Sequence, residues 1–300
     1  MKKFNIKKIL IPLDFSETSL LALEHGAYMA SLFKADMLLL NVVKPNWTAF
    51  SIENSPLPMD ALEQQSRYAL EKLDALAKKI HEEEAINVET LCETGRVCPV
   101  ILSAAKKHNA DLIVMGTHGI SGFEERFIGS NAYRVVNESP CPVITIQRHA
   151  ERKGFKDIVL PIDNSFYTRQ KVQHAVQFSL HYGSRIHLLG LSNTTDETEM
   201  NKLNIKLEQI EEVLDKQRIL YSKEIQTGLN YAKLTIAYAE RIQADLIMIM
   251  TEWEEDITGI FIGPFARQIV NHSKIPVMSI RPVSKSTIIE TGAFSWMEQH

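Results

Sequence analysis

Short apolar runs alternate along this chain with longer stretches whose apolar positions recur every three or four residues. The runs "ILIPL" (9–13), "DMLLLNVV" (36–43), "INVETLCETG" (86–95), "DLIVMG" (111–116) and "PVITIQ" (142–147) read as buried strands. Between them lie "SETSLLALEHGAYMASLF" (16–33), "MDALEQQSRYALEKLDALAKKIHEEE" (59–84), "PVILSAAKKHN" (99–109) and "SNAYRVVNES" (130–139), each with helical spacing. Ser16 is a candidate N-cap for the first of these helices. Strands alternating with helices build parallel βαβ units. The fold class is therefore α/β with a doubly wound sheet, its crossovers right-handed.

The same order occurs twice. "KKILIPLDFSETSLLALEHGAYMASLFKADMLLLNVV" (7–43) matches "KDIVLPIDNSFYTRQKVQHAVQFSLHYGSRIHLLGLS" (156–192), with an apolar strand, a Pro, a hydrophobe, an Asp and a polar helix start in each. The end of each half keeps the register as well: "ADLIVMGTHG" and "FIGSNAYRVVNESPCPVITIQ" answer to "ADLIMIMTEW" and "FIGPFARQIVNHSKIPVMSIR". The pattern predicts a tandem duplication, with domains at 1–149 and 154–282, a linker near "RHAERKGF" and a tail at 283–300.

Composition narrows the function classes. The 300 residues are 45% hydrophobic and 23% charged, which fits two globular domains. A net charge of −4 argues against a general nucleic-acid or membrane-surface binder. Cys92, Cys98 and Cys141 form no CxxC pair and read as small buried hydrophobes. The apolar run at the N-terminus is broken by Pro12 and Asp14, so it is no signal peptide, and no segment reaches the ~18 apolar residues of a membrane span. The expected location is cytoplasmic.

The candidate chemistry lies at strand C-termini, where open α/β sheets bind ligands. One piece is Pro12-Leu13-Asp14, after the first strand. The other is "GTHGISGFEERFIGSNA" (116–132), with glycines at 116, 119, 122 and 129. Glycine reaches positive φ without steric cost and lets backbone N–H groups approach a ligand. Gly129-Ser130-Asn131 stands where a helix begins, a place that favours an anion. Arg126 could add charge. The loop thus describes a phosphate cradle, or else a flexible connection with Ser130 as a plain N-cap. Asp14 is either a ligand contact or an Asx turn at the helix start. No Ser-His-Asp or Cys-His set, no HExxH and no Walker lysine occur, so nothing equips the chain for phosphoryl transfer.

Glycine, two residues, glycine, nine residues and Gly-Ser, here Gly116, Gly119, Gly129 and Ser130, resembles the nucleotide motif of the universal stress protein family. The resemblance covers nearly the whole chain in two copies. It implies the adenine nucleotide alpha hydrolase-like fold, two tandem five-stranded parallel sheets of order 3-2-1-4-5, with ATP between strands one and four. It places Asp14 at the adenine, the ribose or a Mg ion, and Val42 at the adenine. Met115 and His118 are expected to line the pocket. It further implies that "PVITIQ" and "PVMSIR" pair antiparallel, making one chain an internal pseudo-dimer. A homodimer of two chains is left open.

The second copy departs from the motif. Met250 and Trp253 replace Gly116 and Gly119, and Pro264 replaces Ser130. Proline suits the first turn of a helix but removes an N–H donor. Four acidic residues in 252–256 would repel a triphosphate within a Debye length of about 8 Å. The second copy is expected to be a scaffold, or to take a different ligand near Trp253, Ile257, Ile260 and Phe261. The expected function is an ATP-binding stress-response switch with at most slow hydrolysis and no resident catalytic set. An adaptor without nucleotide is the alternative, with protein partners the sequence does not name.

Overall fold

The computed structural model describes residues 4–45, 59–117, 128–148, 150, 153–251 and 263–283. The chain divides into two units, one formed by Ile6–Arg148 and the other by the described residues beyond 149 together with Phe4 and Asn5.

In the first unit the elements are β1 (Lys8–Pro12), α1 (Glu17–Phe33), β2 (Asp36–Val43), α2 (Met59–Glu84), β3 (Val88–Thr94), α3 (Val97–Lys107), β4 (Leu112–Gly116), α4 (Ser130–Glu138) and β5 (Val143–Ile146). The strands lie in the order β3-β2-β1-β4-β5, and every pair is parallel. Ile9, Leu10 and Ile11 of β1 and Leu112, Ile113 and Val114 of β4 are fully buried, as central strands covered on both faces must be. The chain leaves β1 toward β2 on one side and enters β4 on the other. The switch point therefore falls between β1 and β4.

The second unit repeats this with β6 (Asp157–Ile162), α5 (Val172–Tyr182), β7 (Arg185–Ser192), α6 (Glu197–Lys216), β8 (Tyr221–Thr227), α7 (Tyr231–Arg241), β9 (Leu246–Met250), α8 (Pro264–His272) and β10 (Val277–Ile280). Its order is β8-β7-β6-β9-β10, again parallel. The likeness extends to single atoms. Asp111 Oδ2 accepts the N–H groups of Lys7 and Lys8 at 2.8 and 3.0 Å. Asp245 Oδ2 does the same for Lys156 and Asp157 at 2.9 and 3.1 Å. These carboxylates tie the start of each central strand to the start of its later neighbour.

One element departs from the repeat. Ser16 caps α1, its Oγ accepting the Ser19 N–H at 3.3 Å. The residue aligned with Glu17 is Phe166, yet α5 starts only at Val172. The intervening chain folds into a turn instead. The Thr168 hydroxyl accepts the Asp163 N–H at 3.2 Å, and the buried Lys171 ammonium caps the Thr168 carbonyl at 2.6 Å. Phe4 packs on His174 of α5 with ring centroids 4.2 Å apart. Beyond β10, the Gln170 side chain binds both the N–H and the carbonyl of Val283, at 2.8 and 3.0 Å.

Candidate functional site

In the first unit a cavity of about 670 Å³ opens at the C-terminal ends of β1 and β4. Its size is that of a small-molecule site. Pro12, Leu13 and Asp14 border it from the end of β1, Val42 from β2, Met115 and Gly116 from β4, and Gly129, Ser130 and Asn131 from the start of α4. Three further residues expected at the site, His118, Gly119 and Arg126, lie outside the described residues. So do Gly122, Trp253, Ile257, Ile260, Phe261 and the tail beyond Val283. The cavity also has walls that the motif does not mention: Phe15, Asn41, Tyr68 and Ala69 of α2, and Ile101 of α3. The helical periodicity marks Ala69 and Ile101 as buried, but it says nothing of what they face.

The β1 end is held by its own polar groups. Asp14 Oδ1 accepts the Ser16 N–H at 3.1 Å and the Ser16 hydroxyl at 2.5 Å, so the Asx turn exists. Asn41, buried beneath it, donates from Nδ2 to the Leu13 carbonyl at 2.7 Å. Between them Phe15 takes φ +62°, a left-handed value uncommon for a bulky residue.

The glycines earn their place differently from expectation. Gly129 has φ −58° and ψ 145°, backbone angles open to any residue, with a Cβ there standing 3.1 Å from the Thr117 carbonyl oxygen, and Gly116 is not among the positive-φ glycines of the described residues. What Gly116 needs is room: an added Cβ would stand 2.8 Å from the Thr18 carbonyl carbon and 2.9 Å from its oxygen. The glycine at the end of β4 therefore admits the first turn of α1. Gly129 spends its own N–H on the Thr117 carbonyl at 2.8 Å. The N–H groups that helix geometry leaves without an intrahelical partner belong to Ser130, Asn131 and Ala132, all of which border the cavity.

Near the cavity, burial pushes the Cys92 thiol up, opposed by a hydrogen bond with Ser66, and burial likewise raises Cys98. Cys141 is pushed up to about 11, again chiefly by burial. All three cysteines are free thiols, protonated at neutral pH, as small hydrophobes rather than nucleophiles. Among the described residues no three His, Cys, Asp or Glu side chains gather as metal ligands. No helix among them is long and apolar enough to cross a membrane.

The corresponding positions of the second unit carry bulkier side chains. The buried positions Ala69, Leu73 and Ile80 of α2 recur as Leu203, Leu207 and Leu214 of α6. Leucine thus stands where alanine borders the cavity. Asn41 becomes Gly190, whose absent side chain lets Leu207 and Leu203 in: a Cβ there would lie 3.0 and 3.5 Å from their methyls. Val97, at the first turn of α3, becomes Tyr231. Burial raises the Tyr231 phenol, the Asp163 charge raises it further, and a hydrogen bond with the Asn193 backbone opposes both. Lys206 lies over the turn and donates to the Ser165 carbonyl at 3.1 Å. Lys171 is enclosed, and burial lowers its amine to about 8.

Comparison with known proteins places this geometry. The model of the universal stress protein family matches residues 5–147 and again 154–281. Universal stress protein MJ0531 of Methanocaldococcus jannaschii is 35% identical over 144 residues, 47% of this chain and 82% of that protein. Universal stress protein Sll1654 of Synechocystis is 33% identical over 140 residues, 47% of this chain and 85% of that protein. The crystal structure of a universal stress protein from Archaeoglobus fulgidus covers 93% of this chain and 98% of its own, with a TM-score of 0.73 and 22% identity, a likeness of fold.

Proposed function

As the chain belongs to the universal stress protein family, we propose that it is a cytoplasmic ATP-binding switch whose nucleotide sits in the Ile6–Arg148 unit alone. The observation that carries this reading is the contrast between the copies. One keeps a cavity at the switch point, bordered by the start of α4. The other carries Leu203, Leu207 and Tyr231 at the positions of Ala69, Leu73 and Val97.

The residues present fit such a ligand. The apolar walls Leu40, Val42 and Ile101 suit a base. The amides of Ser130, Asn131 and Ala132, with the α4 dipole, suit phosphate oxygens. Asp14 directs one carboxylate oxygen into its own turn. The carboxylate, so oriented at the cavity edge, is proposed to meet a ribose or a Mg ion. ATP would bring the charge and the cleavable phosphoanhydride, and these side chains bind and orient it. Binding, with slow hydrolysis at most, is the proposed activity, since the sequence carries no Walker lysine.

Calorimetric titration of ATP with magnesium into the wild type and Gly129→Asp tests the reading. Aspartate is a favoured N-cap, so α4 should persist while its carboxylate repels phosphate from the helix start. About one ATP per chain, lost in the variant, is the expected result. Two per chain would overturn the assignment to one copy. No binding to folded wild type would favour the adaptor reading.

A further inference from the structure

Tyr68 is 60% exposed, yet its ring borders the cavity. One helical turn on, the Lys72 ammonium sits 4.5 Å from the Tyr68 ring centroid and 5.1 Å from that of Phe15. A cation at that distance is attracted by the ring face and restrains the aromatic side chain beneath it. Phe15 in turn is set by the left-handed backbone that follows the Asp14 turn. The cluster therefore rests on the same loop that forms the β1 edge of the cavity.

The second unit lacks it as a set. The positions of Phe15, Tyr68 and Lys72 are taken by Asn164, Lys202 and Lys206. Without rings to rest on, Lys206 falls onto the carbonyls of Ser165 and Asp163, Lys202 pairs with Glu199 at 2.7 Å, and Asn164 binds Glu199 as well. The aromatic pair accompanies the cavity of the first unit and is replaced at the aligned positions of the second. A rigid ring at the mouth of a cavity with apolar walls is a surface on which a planar heterocycle can stack, since every base has a π-face.

We propose that Tyr68 closes against the heterocycle of the ligand held in this cavity, with Phe15 and Lys72 as positioning residues for its ring. The proposal rests on the nucleotide reading above and assigns the base end of that site to α2. Phosphate recognition is left to α4.

The test measures ATP affinity of wild type, Tyr68→Ala, Tyr68→Phe and Lys72→Ala, with thermal melts as the control for folding. Tyr68→Ala should weaken ATP about five- to hundredfold, the range for removing an aromatic stacking partner. Tyr68→Phe should stay within about twofold, because the ring face and not the hydroxyl is used. Lys72→Ala should fall between them. In parallel, the fluorescence of a bound 2-aminopurine nucleotide, quenched by stacking in the wild type, should rise in Tyr68→Ala. Wild-type affinity in Tyr68→Ala, a loss in Tyr68→Phe equal to that in Tyr68→Ala, or unchanged quenching would each overturn the stacking role alone. A wild type that binds neither nucleotide would overturn the nucleotide reading and this inference with it.

Discussion

Replacing Gly116 by alanine separates two reasons for a glycine at the end of β4. If the residue serves only to let an anion near, the ligand-free protein should hardly notice a methyl group. The geometry says otherwise. The new Cβ would stand 2.8 and 2.9 Å from the carbonyl carbon and oxygen of Thr18, and 3.0 Å from its Cβ. Two of those three atoms are backbone, at the start of a helix that Ser16 caps, so no side-chain rotation relieves them. Overpacking of this kind costs about 1–3 kcal/mol. At roughly 2–4 °C per kcal/mol, the melting temperature should drop by a few degrees without any ligand. Urea unfolding of the two proteins, compared at equal slope, measures the cost directly. Gly26→Ala supplies the contrast: its Cβ meets side chains alone, chiefly the Cδ1 of Ile11, with Ile11 Cγ1 at 3.3 Å and Met37 Cε at 3.8 Å, and Ile11→Val removes the closest of these contacts. That double variant should recover most of its loss, whereas Thr18→Ser should not rescue Gly116→Ala. A cost below about 0.5 kcal/mol for Gly116→Ala, or full rescue by Thr18→Ser, would refute the close-approach argument. The second unit has already made the exchange. It carries Met250 at this position and starts α5 only at Val172, so side chain and helix start change together.

Three further outcomes follow from the structure. Burial holds the His174 imidazole down to about 4, so the folded protein stays neutral there while the unfolded chain takes up a proton near pH 6.5. Stability should therefore fall as pH drops from 6.5 toward 4, by about 3 kcal/mol in all, and His174→Leu should flatten that part of the urea-midpoint profile. Leu203→Ala should destabilise the second unit by about 2–5 kcal/mol, because Leu203 is fully buried, and unfolding curves with and without ATP should show no gain in binding. Asn41→Ala leaves the Leu13 carbonyl without its donor and should cost about 1–3 kcal/mol in the same assay, with a loss of ATP affinity in calorimetry because the β1 loop loosens.

The order of strands and helices could be read from the chain because period and length agree in nearly every segment. Parallel order 3-2-1-4-5 came with the family resemblance, and the ladder of each unit shows it. Strand C-termini pointed to the cavity, and the structure brings Pro12, Leu13, Asp14, Val42, Met115, Gly116, Gly129, Ser130 and Asn131 to it. Other features were hidden for physical reasons. The stripe on α2 tells that Ala69 is buried, but not that it borders a cavity that Asn41 also lines. That information belongs to the distance between elements, which periodicity does not carry. The late start of α5, against the polar helix start that the repeat suggests here, is not legible in "SFYTRQK". The competing turn depends on a threonine hydroxyl and a buried lysine that become partners only once the chain is folded. The loop's glycines suggest either conformational freedom or close approach to a ligand, whereas at Gly116 the missing side chain makes room for Thr18 of α1.

The carboxylate of Asp111 has a consequence for the order in which the molecule is assembled. It holds the amides of Lys7 and Lys8, which precede it by 104 and 103 residues. As the chain leaves the ribosome, β1 emerges early and can pair at once with β2. Its other edge must wait until β4 has been synthesised. Contacts so distant in sequence form late, since a long loop has to close before they yield anything. During that interval the inner edge of β1 is an open row of donors and acceptors, the most vulnerable surface of the nascent unit. The cleft between β1 and β4 therefore takes shape only after β1, β2 and β3 can already have paired, and a growing chain acquires this cavity late, together with β4, α4 and β5.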